Sequence, residues 1–262
     1  MRSDIVRIIL PALAAGALHA QIHAPRLGAI RCSDGGIRAV YGLAANFIVA
    51  DQPFAMADAV SFSDRAGLIA SKGKIQLLGS DGLLIGEYNS REANPILNVE
   101  GDKATAIAWL PSERTLLRWA VKQFRVFPVP AIEGRVTSIR TAGADRAQLL
   151  IFNNDGSTSR AVVALTAGDV ISLDTVPGVS GPVFAEQKSL IFREGKNLAI
   201  ETPDGVRHTL RVPGNVVIER MSSEWLHLSF AGTNRHWALH LVGSQPELFV
   251  LPDVQSTEEA ER

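Results

Sequence analysis

A short block of sequence occurs twice, and it limits the folds open to this chain more than any other feature. Leu68-Ile69-Ala70-Ser71-Lys72-Gly73-Lys74 is followed by Asp81-Gly82, and Leu190-Ile191-Phe192-Arg193-Glu194-Gly195-Lys196 by Asp204-Gly205. Each copy reads as an apolar strand, a tight turn, a second strand and a further turn, because Asp-Gly supplies the positive φ angles that two-residue hairpin loops require. The anchors Leu68 and Leu190 lie 122 positions apart, about three periods of roughly 40 residues. A hairpin plan repeated at that spacing implies a series of equivalent antiparallel units.

The rest of the chain carries the same pattern. Strand-like segments rich in Val, Ile, Leu, Phe and Trp are punctuated by Gly, Asp-Gly, Asn-Asp-Gly and Pro, and helical spacing is nearly absent after residue 20. Hairpins are expected for Lys74 to Tyr88, Gln148 to Leu165 and Asn197 to Leu210. Further strand pairs join Ala106–Leu110 to Leu116–Val121 and Trp225–Phe230 to His236–Val242, each followed by a shorter strand, Gln123–Val129 and Glu247–Leu251. One anchor per unit at Leu68, Leu116, Leu150, Leu190 and Leu226 gives a mean spacing of 39.5. That period matches the four-stranded blade of a β-propeller. About 225 residues at roughly 40 per blade predict five or six blades in one all-β domain, residues 21–254, with a large β-sandwich as the alternative.

The units Val60–Tyr88 and Val183–Leu210 resemble the degenerate WD40-like and YVTN-type repeats of bacterial secreted propellers, in which a Ser or Asp turn precedes a strand and a later turn carries Asp-Gly. The residues are Ser61-Phe62-Ser63-Asp64 with Asp81-Gly82, and Ala185-Glu186-Gln187-Lys188 with Asp204-Gly205, the second copy having lost the Ser and Asp. The resemblance covers about half the mature chain. It implies a disc of twisted sheets around a channel, closed by pairing a segment near residues 28–50 with the C-terminal blade. Closure removes an edge strand that would otherwise invite aggregation.

The N-terminus points to export. Arg2 and Arg7 flank the start, Ile8–Leu18 is uncharged and apolar, and Leu18-His19-Ala20 ends on a small residue, the layout of a secretory signal peptide over residues 1–20. The apolar run is too short to span a bilayer, which takes about 20 residues, so no membrane span is expected once the signal is removed. The product is expected in the periplasm or outside the cell. The single cysteine, Cys32, lacks the pattern that precedes a lipidated cysteine and reads as a small buried hydrophobe. The formal charge of −1 becomes −2 without Arg2, Asp4 and Arg7. Such a balance provides no electrostatic footprint for nucleic acid. Residues 255–262, with Glu258, Glu259 and Glu261, read as a disordered acidic tail.

Chemical motifs are sparse. His236-Trp237-Ala238-Leu239-His240 has the spacing of a zinc-binding helix, but the alternation of Trp237, Leu239 and Leu241 makes it a strand, which holds the two histidines about 13 Å apart. On Trp225–Phe230, Trp225, His227 and Ser229 share one face, and His227 is a candidate for lining a channel or groove. His208 is expected at a solvent-exposed position. Gly178-Val179-Ser180-Gly181-Pro182 misses the nucleophile elbow and reads as a loop. Phosphate loops, paired cysteines and dinucleotide fingerprints are missing, so no cofactor is expected. Asp64, Asp102, Asp145, Asp155, Asp169 and Glu186 read as turn residues capping their own backbone rather than as metal ligands. Trp109, Trp119, Trp225 and Trp237 fit packing between units. Arg118, Trp119 and Arg125, near Lys122, form a basic and aromatic stretch suited to a glycan or a peptide side chain.

These features suggest an exported, non-catalytic propeller that binds a protein or glycan in the extracytoplasmic space. Two alternatives stand beside it: a metal-dependent hydrolase or lyase with its site in the central channel, and a structural piece of an envelope assembly. The enzyme would need three or more acidic or His side chains converging at one end of the channel.

Overall fold

The computed structural model describes residues 24–253 except 187, 231–232 and 242–244. The expected signal segment 1–20 and tail 255–262 lie outside the described residues. Alternating apolar and polar side chains produce a succession of short strands, and the helical element among the described residues is one 3-10 turn, Lys103–Thr105, capped by Asp102. The first sheet holds β1 (Arg26–Arg31), β2 (Gly36–Leu43), β3 (Asn46–Val49) and β4 (Ala55–Met56), with β3 and β4 sharing one edge of β2. Every later group of four is an antiparallel meander. These are β5 (Ala59–Phe62) to β8 (Leu84–Asn89) through β6 (Ala66–Ser71) and β7 (Lys74–Gly79), then β9 (Ile96–Asn98), β10 (Ile107–Leu110), β11 (Thr115–Ala120) and β12 (Gln123–Pro128). Next come β13 (Arg135–Thr141), β14 (Arg146–Phe152), β15 (Ser157–Ala164) and β16 (Val170–Ser180). The last two meanders are β17 (Val183–Glu186), β18 (Ser189–Glu194), β19 (Asn197–Glu201) and β20 (Arg207–Arg211), followed by β21 (Val216–Arg220), β22 (Trp225–Phe230), β23 (His236–His240) and β24 (Glu247–Val250).

Each sheet buries one face against the sheet before it and one against the sheet after it. Leu68 and Leu77 meet Ala108 and Leu117, Leu116 meets Leu149 and Val163, and Leu150 meets Phe192 and Ala199. Leu198 then meets Leu226 and Leu239. The circuit is completed by the first sheet, where Val40 and Phe47 pack on Trp225 and Ala238, and Ala29 and Ile37 on Val60 and Ile69. A β-sandwich has two sheets around one core, whereas here the apolar layers follow one another around an axis. The fold is a β-propeller.

Several details differ from the sequence expectation. Four sheets stand as separate four-stranded blades rather than five or six; the remaining eight strands form one sheet, because Arg220 on β21 and Ser61 on β5 meet in a parallel bridge that joins the two meanders. Residues 28–50 do not pair with the outer strand β24, which already completes its own meander. They form most of a separate sheet that packs face to face on β22 and β23, tied by a hydrogen bond from the Ala29 amide to the Met221 carbonyl at 3.2 Å. Leu116 falls on the third strand of its unit, not the second. Trp109, on the second strand, restores even spacings of 41 residues on either side. Gly178 and Ser180 belong to the long edge strand β16, so the expected loop is partly strand.

The Asp-Gly turns are where the sequence placed them. Gly82 and Gly205 have φ of +79° and +80°, and open space surrounds both Cα atoms. The four tryptophans fall one to a cluster: Trp109, Trp119 and Trp225 in three different seams, Trp237 against a fourth.

Candidate axial site and seam groove

The first strands of the meanders, β5, β9, β13 and β17, lie against one another in order, and β21 bridges back to β5. All but the longer, mostly polar β13 are short and mostly apolar, and polar residues gather at or just past their C-terminal ends. Side chains tie neighbouring strands together. Ser61 Oγ accepts from the Val99 amide at 3.0 Å, Ser138 Oγ accepts from the Ala185 amide at 3.0 Å, and Thr137 Oγ1 donates to the Val183 carbonyl at 2.7 Å.

Among these ends sits a charge cluster. Arg220 Nη2 lies 2.5 Å from Glu186 Oε2 and 3.8 Å from Glu100 Oε1, while its Nε donates to Asn98 Oδ1 at 3.2 Å. Asn98 Nδ2 donates to Glu100 Oε1 at 3.2 Å, and Arg140 Nε stands 3.5 Å from the same oxygen. Arg220 and Glu186 are almost fully buried, whereas Glu100 and Arg140 are about a fifth exposed. Burial pushes the Glu186 carboxyl up to about 7, and Glu100 adds to the rise against the opposing pull of Arg220. Glu186 Oε2 is held by the 2.5 Å contact with Arg220, while its Oε1 is buried without a hydrogen-bond donor. Glu186 is therefore not the turn cap the sequence suggested; as the last residue of a strand, it is turned into the molecule.

Chemically the cluster is two carboxylates faced by two guanidiniums. Among the described residues no group of three or more His, Cys, Asp or Glu side chains is arranged to hold a metal ion. The arrangement ties together the ends of β9, β13, β17 and β21. Sequence inspection missed Asn98, Glu100, Arg140 and Arg220. The available signal was a polar residue recurring at the end of the first strand of successive units, at 98, 140, 186 and 220.

A second feature lies where the first sheet meets the β5–β8 meander and the turn before β22. A groove of about 230 Å³ is lined there by Arg26, Phe54, Phe62, Asp64, Gly79 and Met221, among others. Phe54 is 47% exposed, stands edge-on to Phe62 with ring centroids 6.4 Å apart, and carries the Arg26 guanidinium 5.9 Å from its own centroid. Leu83, next to the lining residue Gly82, is 68% exposed. Burying aromatic surface that water now covers is favourable, and aromatic and Arg side chains dominate the affinity of protein interfaces.

The sequence candidates are placed apart. His227 is fully buried; its Nε2 lies 2.8 Å from His236 Nδ1 with the rings stacked, and its Nδ1 is 3.6 Å from Glu219 Oε2, which in turn meets Arg31 at 2.9 Å through its other oxygen. Burial, and then His227, pull His236 down to about 4. His240 stacks on Trp225 at 4.3 Å, so His236 and His240 have separate partners, as strand spacing required. His208 is half-buried rather than exposed. Arg118 is half-buried and Arg125 exposed. Trp119 points to the opposite face of the same sheet, where its ring meets Phe124 at 5.2 Å and packs over Gly86. Asp102, Asp155 and Asp81 cap turns by accepting from the amides of Ala104, Ser157 and Leu83.

No family model matches the chain, and no curated protein matches it. Solved structures do. PorZ, described as an essential bacterial surface component of the type-IX secretion system of Porphyromonas gingivalis, superposes with a TM-score of 0.52 at 13% identity over 88% of this chain. The match takes in 33% of PorZ, so this chain spans about a third of its length. The Pan2 WD40 domain of Neurospora crassa gives a TM-score of 0.41 at 10% identity, covering 81% of this chain and 74% of that one. Hsv2p of Kluyveromyces lactis gives 0.42 at 12%, covering 84% and 82%. At such identities the likeness to PorZ speaks for the fold alone. No helix among the described residues is long and apolar enough to cross a membrane.

Proposed function

We propose that this chain is an exported, non-catalytic β-propeller that acts as a binding scaffold for a partner protein in the periplasm or outside the cell. The observation that carries the reading is the seam groove, in which a half-exposed Phe54 is held between Arg26 and Phe62 beside the exposed Leu83. The exposed Phe54 ring and the aliphatic wall of Leu27, Leu78 and Met221, with Arg26, Ser63, Asp64, Ser80 and Ser222 among the lining residues, suit an apolar side chain presented by a protein whose backbone meets the polar groups. Export rests on the basic start, the apolar run Ile8–Leu18 and the small residue Ala20. The channel-hydrolase alternative lacks support, because the axial carboxylates Glu100 and Glu186 are each faced by arginine.

The test is a photo-crosslinking residue placed at position 54 and, as a control, at the exposed position 173, in cells that produce the native chain. The scaffold reading expects a discrete adduct at 54 that is missing at 173, and weakening of that adduct by Arg26→Ala. Identical patterns at the two positions, or no adduct at 54, contradict it. N-terminal sequencing of the product from the extracytoplasmic fraction is expected to begin at Gln21; an intact N-terminus in the cytosol contradicts export.

A further inference from the structure

We propose that Arg118 and Arg125 form an anion-binding clamp at the seam between the β9–β12 and β13–β16 sheets, suited to a phosphate, sulfate or carboxylate group. The register brings the two arginines together. Leu116 and Phe127 are directly opposed across β11 and β12, and both pack into the core shared with β13–β16. Two residues further along each strand, Arg118 and Arg125 are directly opposed in turn, and strand alternation puts them on that same face. The intervening Leu117, Trp119 and Phe124 face the other way, into the core shared with β5–β8.

Directly opposed like charges destabilise a sheet unless something neutralises them. Among the described residues neither arginine takes part in an ion pair, whereas Arg140 pairs with Glu100 and Arg146 with Asp145 at 3.9 Å. Arg118 Nη1 donates to the Ala144 carbonyl in the turn between β13 and β14, which ties the guanidinium to that turn across the seam. Its Nε is buried and has no hydrogen-bond partner. The acid beside this turn, Asp145, is paired with Arg146. Beyond the Ala144 contact and the buried Nε of Arg118, the pair has spare guanidinium donors and no carboxylate partner among the described residues, which suits a tetrahedral or planar oxyanion. This site stands independently of the groove and of the scaffold reading.

The probe is inorganic phosphate, titrated into the purified 21–262 chain at constant ionic strength against chloride, and read by calorimetry and by thermal unfolding. Phosphate is expected to raise Tm by a few degrees, and Arg118→Gln or Arg125→Gln is expected to weaken its binding about tenfold, the loss of one charged contact. In chloride alone Arg125→Gln is expected to raise Tm, because it removes the opposed charge. A tetraglutamate peptide competing with phosphate identifies a protein carboxylate as the natural occupant, and phosphate binding without such competition identifies a free anion; both outcomes support the clamp. Equal phosphate affinity in the wild type and both variants overturns it. So does a phosphate response that appears only in Asp145→Asn, which would mean that Asp145 already fills the site.

Discussion

Glu186 and His236 are both buried, and burial moves their titrations in opposite senses for stability. His236 stays neutral in the fold down to about 4, whereas in the unfolded chain it takes a proton near 6.5. Between those values the unfolded state binds more protons, so stability is lost as pH falls from about 6.5 to about 4. Glu186 titrates at about 7 in the fold and near 4.5 when unfolded. Its contribution is present in full below about 4.5 and is lost as pH rises to about 7. The two slopes offset each other between about 4.5 and 6.5. Glu186→Gln removes one of them, so its Tm is expected to rise steeply with pH across that window while the wild type stays flatter; parallel profiles would contradict the burial-driven shift. None of this was legible in the sequence. A Glu after three apolar residues and before Gln-Lys looks like a turn residue, and only the meeting of four different strand ends shows that it faces arginine.

Strands and turns were the most legible level, because their signals are local. Asp81-Gly82 and Asp204-Gly205 announce hairpins through backbone φ alone, and both glycines adopt positive φ. Gly82→Val and Gly205→Val are each expected to cost about 1–2 kcal/mol in denaturant unfolding, from left-handed strain with no steric clash; unchanged midpoints would show that the turns relax. Leu149 and Leu116 pack in one seam, both with no exposure. Leu149→Ala is expected to cost about 2–5 kcal/mol, since the closely packed seam leaves a cavity. The first sheet was the least legible element. Its β3 and β4 are four and two residues long and share one edge of β2, so it contains no copy of the repeated block, and its packing depends on residues some 180 positions away.

At the scale of the whole molecule, the groove exists only because the ring closes. Arg26 and Phe54 come from the first sheet, Phe62 and Gly79 from the β5–β8 meander, and Met221 from the turn before β22. The closure seam pairs Phe47 with Trp225 edge-on at 5.6 Å and with Phe249 at 5.7 Å, and Arg31 crosses it to Glu219. Sequence periodicity gave the repeating unit, but it contains no term for how the ends of a series of units meet. Trp225→Ala is expected to lower Tm by several degrees and to weaken crosslinking from position 54 together with it; loss of stability with crosslinking intact would separate the groove from the seam.

Native-state amide hydrogen exchange tests closure most directly, by comparing Val40 and Trp225 at the seam with Leu149 and Leu150 in the opposite part of the ring. A ring closed by the first sheet predicts that all four amides open with one free energy, that of global unfolding. Val40 and Trp225 exchanging together at a distinctly lower free energy would mean that the first sheet detaches on its own, and the account of a preformed groove would be contradicted.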